Sequence, residues 1–189
     1  MWMGHLKPSD PYGWWIDGGS DRRENDGKLL YCQTDFVDAE VLASVSLGSM
    51  TNGFLVLRGD ALSTPDPLGD RYDLYFDKTN GGVAVRGVTS SLGSPIMGVS
   101  HVFASGFFDT SFRVVGPGPS GNSLAARVED SGGSYTTLSV DDPTYFQGRI
   151  GFGTQTANSG SMLVDWIAVR PAVDPEPTVG GWQAEEVEP

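Results

Sequence analysis

Cysteine is almost absent from this chain. Cys32 is the single one among 189 residues, so no intrachain disulfide can form and the folded state must be held by burial. It stands in the apolar stretch Leu29-Leu30-Tyr31-Cys32 and reads as an inert core thiol. A nucleophilic role would call for a nearby base, and histidine is scarce too, with only His5 and His101. Positive charge is the next shortage. Twelve Lys and Arg face 24 Asp and Glu, a formal net charge of −12, and Lys7, Lys28 and Lys78 are the only lysines. Charge of that sign repels nucleic acid and anionic headgroups, which argues against both as partners. Long hydrophobic runs are missing as well. No stretch approaches about 18 uninterrupted apolar residues, and Met1-Trp2-Met3-Gly4-His5-Leu6-Lys7-Pro8 holds no apolar segment of signal-peptide length. The expectation is a chain that neither inserts in a membrane nor follows the conventional secretory route; a virion or extracellular location would require another way out, such as release with a particle on lysis.

Glycine and proline are plentiful, 26 and 12 residues, and are spaced along the chain as they are when many short strands meet in tight turns. Val41 to Leu47 partly alternates, Phe54 to Leu57 is continuously apolar, and Tyr72 to Asp77 mixes aromatic and acidic residues. Asn80-Gly81-Gly82 then signals a tight turn before Val83 to Val88, the clearest hairpin of the chain. Further strands are expected at Val99 to Phe103, Phe112 to Val115, Ser123 to Val128 and Tyr135 to Val140, before a closing pair at Gly148 to Gly153 and Met162 to Pro171. With spacing near ten residues and no sustained 3.6-residue period, the expected class is all-β, with two packed antiparallel sheets. The expected division is an arm over residues 1–28, a sandwich over 29–171 and a proline-rich acidic tail over 172–189. The arm holds Trp2, Trp14 and Trp15, and the tail holds Trp182. Neither flank is apolar enough to build its own core, so these tryptophans are read as docking residues that pack on the sandwich or on a neighbouring subunit.

Asp38-Ala39-Glu40-Val41-Leu42-Ala43, the strand Gly53 to Arg58, Tyr72 to Asp77 with its hairpin, and the closing Gly148 to Pro171 together resemble the laminin G-like and concanavalin A-like sandwiches of lectins, glycosidases and prokaryotic and viral surface proteins. The resemblance runs from about Asp35 to Pro171. It implies a jelly-roll sandwich with extended arms, and it leaves function to residues beyond the fold.

Glycosidases on this fold carry Glu-x-Asp-x-x-Glu on one strand, which aims two carboxylates at one bond. No such run occurs here. Asp73, Tyr75 and Asp77 share a strand face, but Asp73 and Asp77 are roughly 13 Å apart along an extended strand, too far for either hydrolytic geometry. They read as a solvated acidic face. Gly116-Pro117-Gly118-Pro119-Ser120-Gly121 has the spacing of a dinucleotide loop, yet its prolines remove N–H groups a phosphate would need, so it reads as a turn. Arg58-Gly59-Asp60 spells an adhesion tripeptide but falls at a strand end, where Gly and Asp are ordinary turn residues. His101 is read as structural, and Trp166 as a core residue beside a buried Asp165 that pairs with Arg149 or with a backbone turn.

Two kinds of binding site remain. Sugars need aromatic faces flanked by hydrogen-bonding side chains, which points to Tyr72, Tyr75, Arg86 and Tyr145. Calcium needs converging oxygens; Asp60, Asp66 and Asp70 are the first candidates, Asp141 and Asp142 the second. No cofactor other than Ca2+ is indicated. The leading expectation is a non-catalytic surface or structural binding module, a virion component such as a tail, fibre or capsid decoration. Its partners would be structural subunits, in a homo-oligomer or larger assembly, and cell-surface glycans. The alternative is a free-standing carbohydrate-binding module, and a glycosidase ranks last.

Overall fold

A computed structural model describes residues 14–17, 29–48, 50–59, 70–89, 92–118, 121–153 and 162–172. They form twelve strands in two antiparallel sheets. In chain order these are β1 (Trp14–Asp17), β2 (Leu29–Phe36), β3 (Ala39–Ser46), β4 (Asn52–Gly59), β5 (Arg71–Asp77), β6 (Gly82–Thr89), β7 (Leu92–Ser100), β8 (Phe108–Gly118), β9 (Gly121–Glu129), β10 (Tyr135–Asp142), β11 (Gly148–Gly153) and β12 (Leu163–Pro171). The larger sheet runs β1-β2-β11-β4-β5-β6-β7 and the smaller β10-β9-β8-β3-β12. The chain changes sheet between β2 and β3, β3 and β4, β7 and β8, β10 and β11, and β11 and β12. The expected all-β jelly-roll sandwich is the fold found.

Strand alternation builds the core between the sheets. Tyr72, Leu74 and Phe76 of β5 point inward, as do Val41, Ala43 and Val45 of β3 and Leu124, Ala126 and Val128 of β9. Phe76 and Phe108 meet edge to face across the sheets at 5.5 Å. Each such side chain contributes on the order of 1.5–3 kcal/mol by burial. The β5–β6 hairpin closes as expected: Asp77 pairs with Gly82, Asn80 N–H donates to Asp77 Oδ1 at 2.9 Å, and Gly81 takes φ +63°, a left-handed conformation that suits glycine.

Three expectations shift. β7 occupies Leu92–Ser100 rather than Val99 to Phe103, because pairing with β6 from Gly82↔Ser100 to Thr89↔Leu92 overrides the turn-like look of Gly93 and Pro95; an edge strand tolerates a proline that a central one would not. Trp166 is not in the core but 43% exposed, and Asp165 is exposed beside it. β12 ends the smaller sheet, and its register slips between Val164 and Trp166, a bulge that turns both side chains outward. Arg149 lies 3.7 Å from Asp35. Finally, part of the N-terminal arm belongs to the sandwich: β1 pairs with β2, Trp14 opposite Cys32 and Trp15 opposite Tyr31. Trp2 and Trp182 lie outside the described residues.

Candidate functional site

The outer face of the larger sheet carries the most distinctive chemistry. Because Tyr72, Leu74 and Phe76 take the core side of β5, Asp73 and Tyr75 must take the other. Asp73 is fully buried and paired, not solvated. Arg86, directly opposite on β6, grips it through Nε to Oδ1 and Nη2 to Oδ2, both 2.7 Å, and Arg71 adds Nη2 to Oδ2 at 3.3 Å. This fork-to-fork geometry is the strong form of a charged hydrogen bond. The Arg86 guanidinium in turn lies 3.7 Å from the centre of the Tyr75 ring, and that of Arg71 lies 4.9 Å from the Phe54 ring. One carboxylate thus fixes two arginines, and one arginine fixes the half-buried tyrosine.

Beside Tyr75 the side chains shrink. Tyr75 faces Ala84 across the ladder and Ala84 faces Gly98, while Asp77 faces Gly82. The result is an open trough of 290 Å³ walled by Tyr75, Arg86 and Pro95 and floored by Ala84, Gly82 and Gly98. Asp77 stands at one end, its Oδ2 accepting from Asn80 Nδ2 at 2.8 Å. Burial, then the Asp77 charge, pushes the Tyr75 hydroxyl above its ordinary pKa, so it stays a neutral donor at physiological pH.

The four residues expected to contact sugar therefore divide. Tyr75 and Arg86 come together on the outer face. Tyr72 and Tyr145 lie between the sheets, ring centres 4.8 Å apart and edge to face. The Tyr72 hydroxyl donates to Asp142 Oδ1 at 2.6 Å and accepts from Asn122 Nδ2 and the Thr144 and Tyr145 N–H groups at 3.0–3.1 Å. The Tyr145 hydroxyl donates to the Val88 carbonyl at 2.7 Å. These tyrosines brace a corner of the fold. Asp142, the second-choice calcium ligand, spends its Oδ1 on Tyr72 and on the Thr144 N–H. Partial burial works to raise its pKa, but those hydrogen bonds outweigh it and hold the pKa below the ordinary carboxylate value. Asp60 and Asp66 lie outside the described residues, and Asp70 immediately precedes β5; among the described residues no group of three or more potential metal ligands occurs.

By sequence Arg58 is the end of a strand and the first residue of a tripeptide. It is 1% exposed, with φ 52°, and donates to the carbonyls of Val37 (2.8 Å), Tyr145 (2.7 Å) and Gly116 (3.1 Å) and to Asp38 Oδ1 (3.2 Å). A buried clamp of this kind cannot present an adhesion motif. The signal that marks it is the bulge: β4 fits two residues, Leu57 and Arg58, where β11 has Ile150 alone. His101 is buried with Nδ1 2.9 Å from Thr136 Oγ1, a structural contact.

No protein-family model matches this chain, and no curated protein matches its sequence. Several solved structures share its shape. The carbohydrate-binding module CBM66 from Bacillus subtilis is 12% identical, with a TM-score of 0.65 over 85% of this chain and 96% of that one. The exoplasmic/lumenal domain of VIP36, in a Ca2+- and Man3GlcNAc-bound form, is 12% identical, with a TM-score of 0.59 over 91% of this chain and 89% of that one. A prokaryotic β-1,3-1,4-glucanase (lichenase) derived from a mouse hindgut metagenome is 16% identical, with a TM-score of 0.54 over 77% and 72%. Likeness at such identities speaks for architecture alone, and the architecture is the concanavalin A-like lectin/glucanase sandwich.

Proposed function

We propose that this chain is a non-catalytic binding module that takes a neutral glycan in the trough on the outer face of its larger sheet. The observation that carries the reading is the Asp73–Arg86–Tyr75 stack, which presents a positioned aromatic ring beside a floor of Gly82, Ala84 and Gly98. An aromatic wall with a few fixed polar groups is the chemistry that recognises a sugar ring. Net charge of −12 disfavours acidic polysaccharides at long range. The reading is non-catalytic because, among the described residues, the two carboxylates of β5 beside the trough are already engaged, Asp73 by two arginines and Asp77 by Asn80.

The test is a glycan-array screen followed by calorimetry on the best ligand. Gly98→Val fills the trough; a Cβ at Gly98 meets Ala84 Cβ at 3.5 Å, an ordinary contact, so the fold should tolerate it. Tyr75→Ala removes the wall. Each should weaken binding by about tenfold or more, roughly 1.4 kcal/mol. Unchanged affinity in both variants would refute this site. A Ca2+ requirement would show as loss of binding in chelator.

A second reading, that the module is a virion component, is favoured by the tryptophan-bearing β1, which among the described residues forms one edge of the larger sheet. It predicts co-purification with intact particles, and a protein found only with free polysaccharide would count against it.

A further inference from the structure

We propose that the groove beside β12 binds a trimethylammonium group, of which free choline is the simplest carrier. The groove measures 540 Å³ and is lined by three aromatic residues, Phe107, Phe152 and Trp166, and by the aliphatic Met162, Leu163 and Ile167. Small-molecule sites run to roughly 300–1,000 Å³, so the space is of the right order. Among the described residues that line it, Asp165 alone is charged. Strict alternation along β12 would send Asp165 and Trp166 to opposite faces. The bulge between Val164 and Trp166 instead leaves both exposed, so a carboxylate stands next to an indole at an apolar groove. Bulges recur beside sites because they re-aim side chains in this way. Leu163 and Phe107 are each 48% exposed and Trp166 is 43% exposed. Singly such residues are ordinary, but gathered at one groove they mark a surface that a ligand covers.

Charge and hydrogen-bonding capacity narrow the occupant. Among the described residues no Lys or Arg pairs with Asp165, Arg149 lying against Asp35 instead, and the whole chain carries −12. An anion is therefore repelled and a cation attracted. A neutral apolar ligand would cover the rings but take water from the carboxylate without replacing it, which is unfavourable. A primary ammonium supplies the charge, yet its three N–H donors need acceptors that the side chains of Phe107, Leu163 and Ile167 do not have. Sugar hydroxyls meet the same difficulty. A trimethylammonium group has no N–H to satisfy. Its methyl groups pack on aliphatic walls while its charge is drawn to aromatic faces and to a carboxylate. In a phosphocholine headgroup the phosphate would approach that same carboxylate, so free choline is the better carrier. This groove is formed around β12 and does not depend on what the trough of the larger sheet binds.

Calorimetric titration of the full chain with choline chloride, at ionic strength held constant, tests this. Saturable binding is expected. The neutral isostere of choline, with a tert-butyl group in place of trimethylammonium, should bind at least about tenfold more weakly, and so should ethanolamine, its primary-ammonium counterpart. Trp166→Leu keeps the groove apolar and removes a ring, and Asp165→Asn removes the charge; each should weaken choline binding by about fivefold or more. Both side chains are exposed, so the circular-dichroism melts of the variants should match the wild type, which separates loss of the site from loss of the fold. No binding of choline up to about 50 mM overturns the proposal. So does a neutral isostere that binds as well as choline, or an affinity unchanged in both variants. Phosphocholine or phosphatidylcholine vesicles bound at least about tenfold more tightly than choline would also overturn it and give the groove to a membrane headgroup.

Discussion

Asp73 holds two guanidinium groups in a setting where none of the three side chains is more than 6% exposed. Removing one partner from such a group leaves charge buried without compensation, which costs about 3–5 kcal/mol. Asp73→Asn should therefore lower stability by that amount in urea titration. It should also release Arg86 from Tyr75 and weaken any ligand held in the trough. Asp73 was visible in the sequence as one of three alternating residues on a strand. That its carboxylate is buried was not, because Arg86 lies thirteen positions away and meets it only once the hairpin register is set. Arg58 is a sharper case, its acceptors lying 20, 21, 58 and 87 residues distant. His101 supplies a pH test. Burial lowers its pKa below the ordinary imidazole value, against a smaller opposing effect of Asp130. The unfolded chain therefore takes up a proton near about pH 6.5 while the folded one resists. Stability should be full above that pH and fall as pH drops through about 6.5 toward the folded-state value. Thermal melts from pH 7.5 to 5 should show this decline in the wild type and a smaller one in His101→Asn.

At the scale of elements, alternation read from the sequence located most strands of the two sheets, since burial on one face imposes a period of two. It failed where pairing rather than composition decides. β7 contains Gly93 and Pro95 and, among the described residues, takes its strand form from pairing with β6. β12 is rich in apolar residues and by sequence reads as buried, yet its place at the edge of the smaller sheet leaves Leu163 and Trp166 exposed. β4 and β11 pair closely where Gly148 meets the end of β4. A Cβ on Gly148, whose φ is +152°, would sit 2.6 Å from the Arg58 carbonyl carbon and 2.8 Å from the Gly59 oxygen. Neither backbone can retreat without breaking the bulge that aims Arg58. Gly148→Ala should cost about 3 kcal/mol or more, at the severe end for point substitutions, seen as a lower urea midpoint with an unchanged slope. Gly82→Ala, open apart from a Val99 carbonyl at 3.5 Å, is the matched control and should move the midpoint far less.

At the scale of the whole molecule, an excess of twelve negative charges opposes compaction through self-repulsion that salt screens within about a Debye length. Raising NaCl from about 0.02 to 0.5 M should therefore raise the thermal midpoint. The buried Asp73–Arg86 pair is shielded from solvent and should contribute nothing to that change, so Asp73→Asn should show the same salt increment as the wild type. The sequence by itself determined the class of fold. Apolar alternation, turn residues at regular spacing and the want of cross-links leave a core between two sheets as the one stable way to bury these strands. It also determined the sign of the field around the molecule, because a net charge of −12 acts at long range whatever the fold. Which face of each strand looks outward, and what lies opposite, was decided only by the tertiary structure. A one-residue change of register exchanges the two faces of a strand, and that choice put Tyr72 in the core, Tyr75 against Arg86 at a trough, and Trp166 on an open edge.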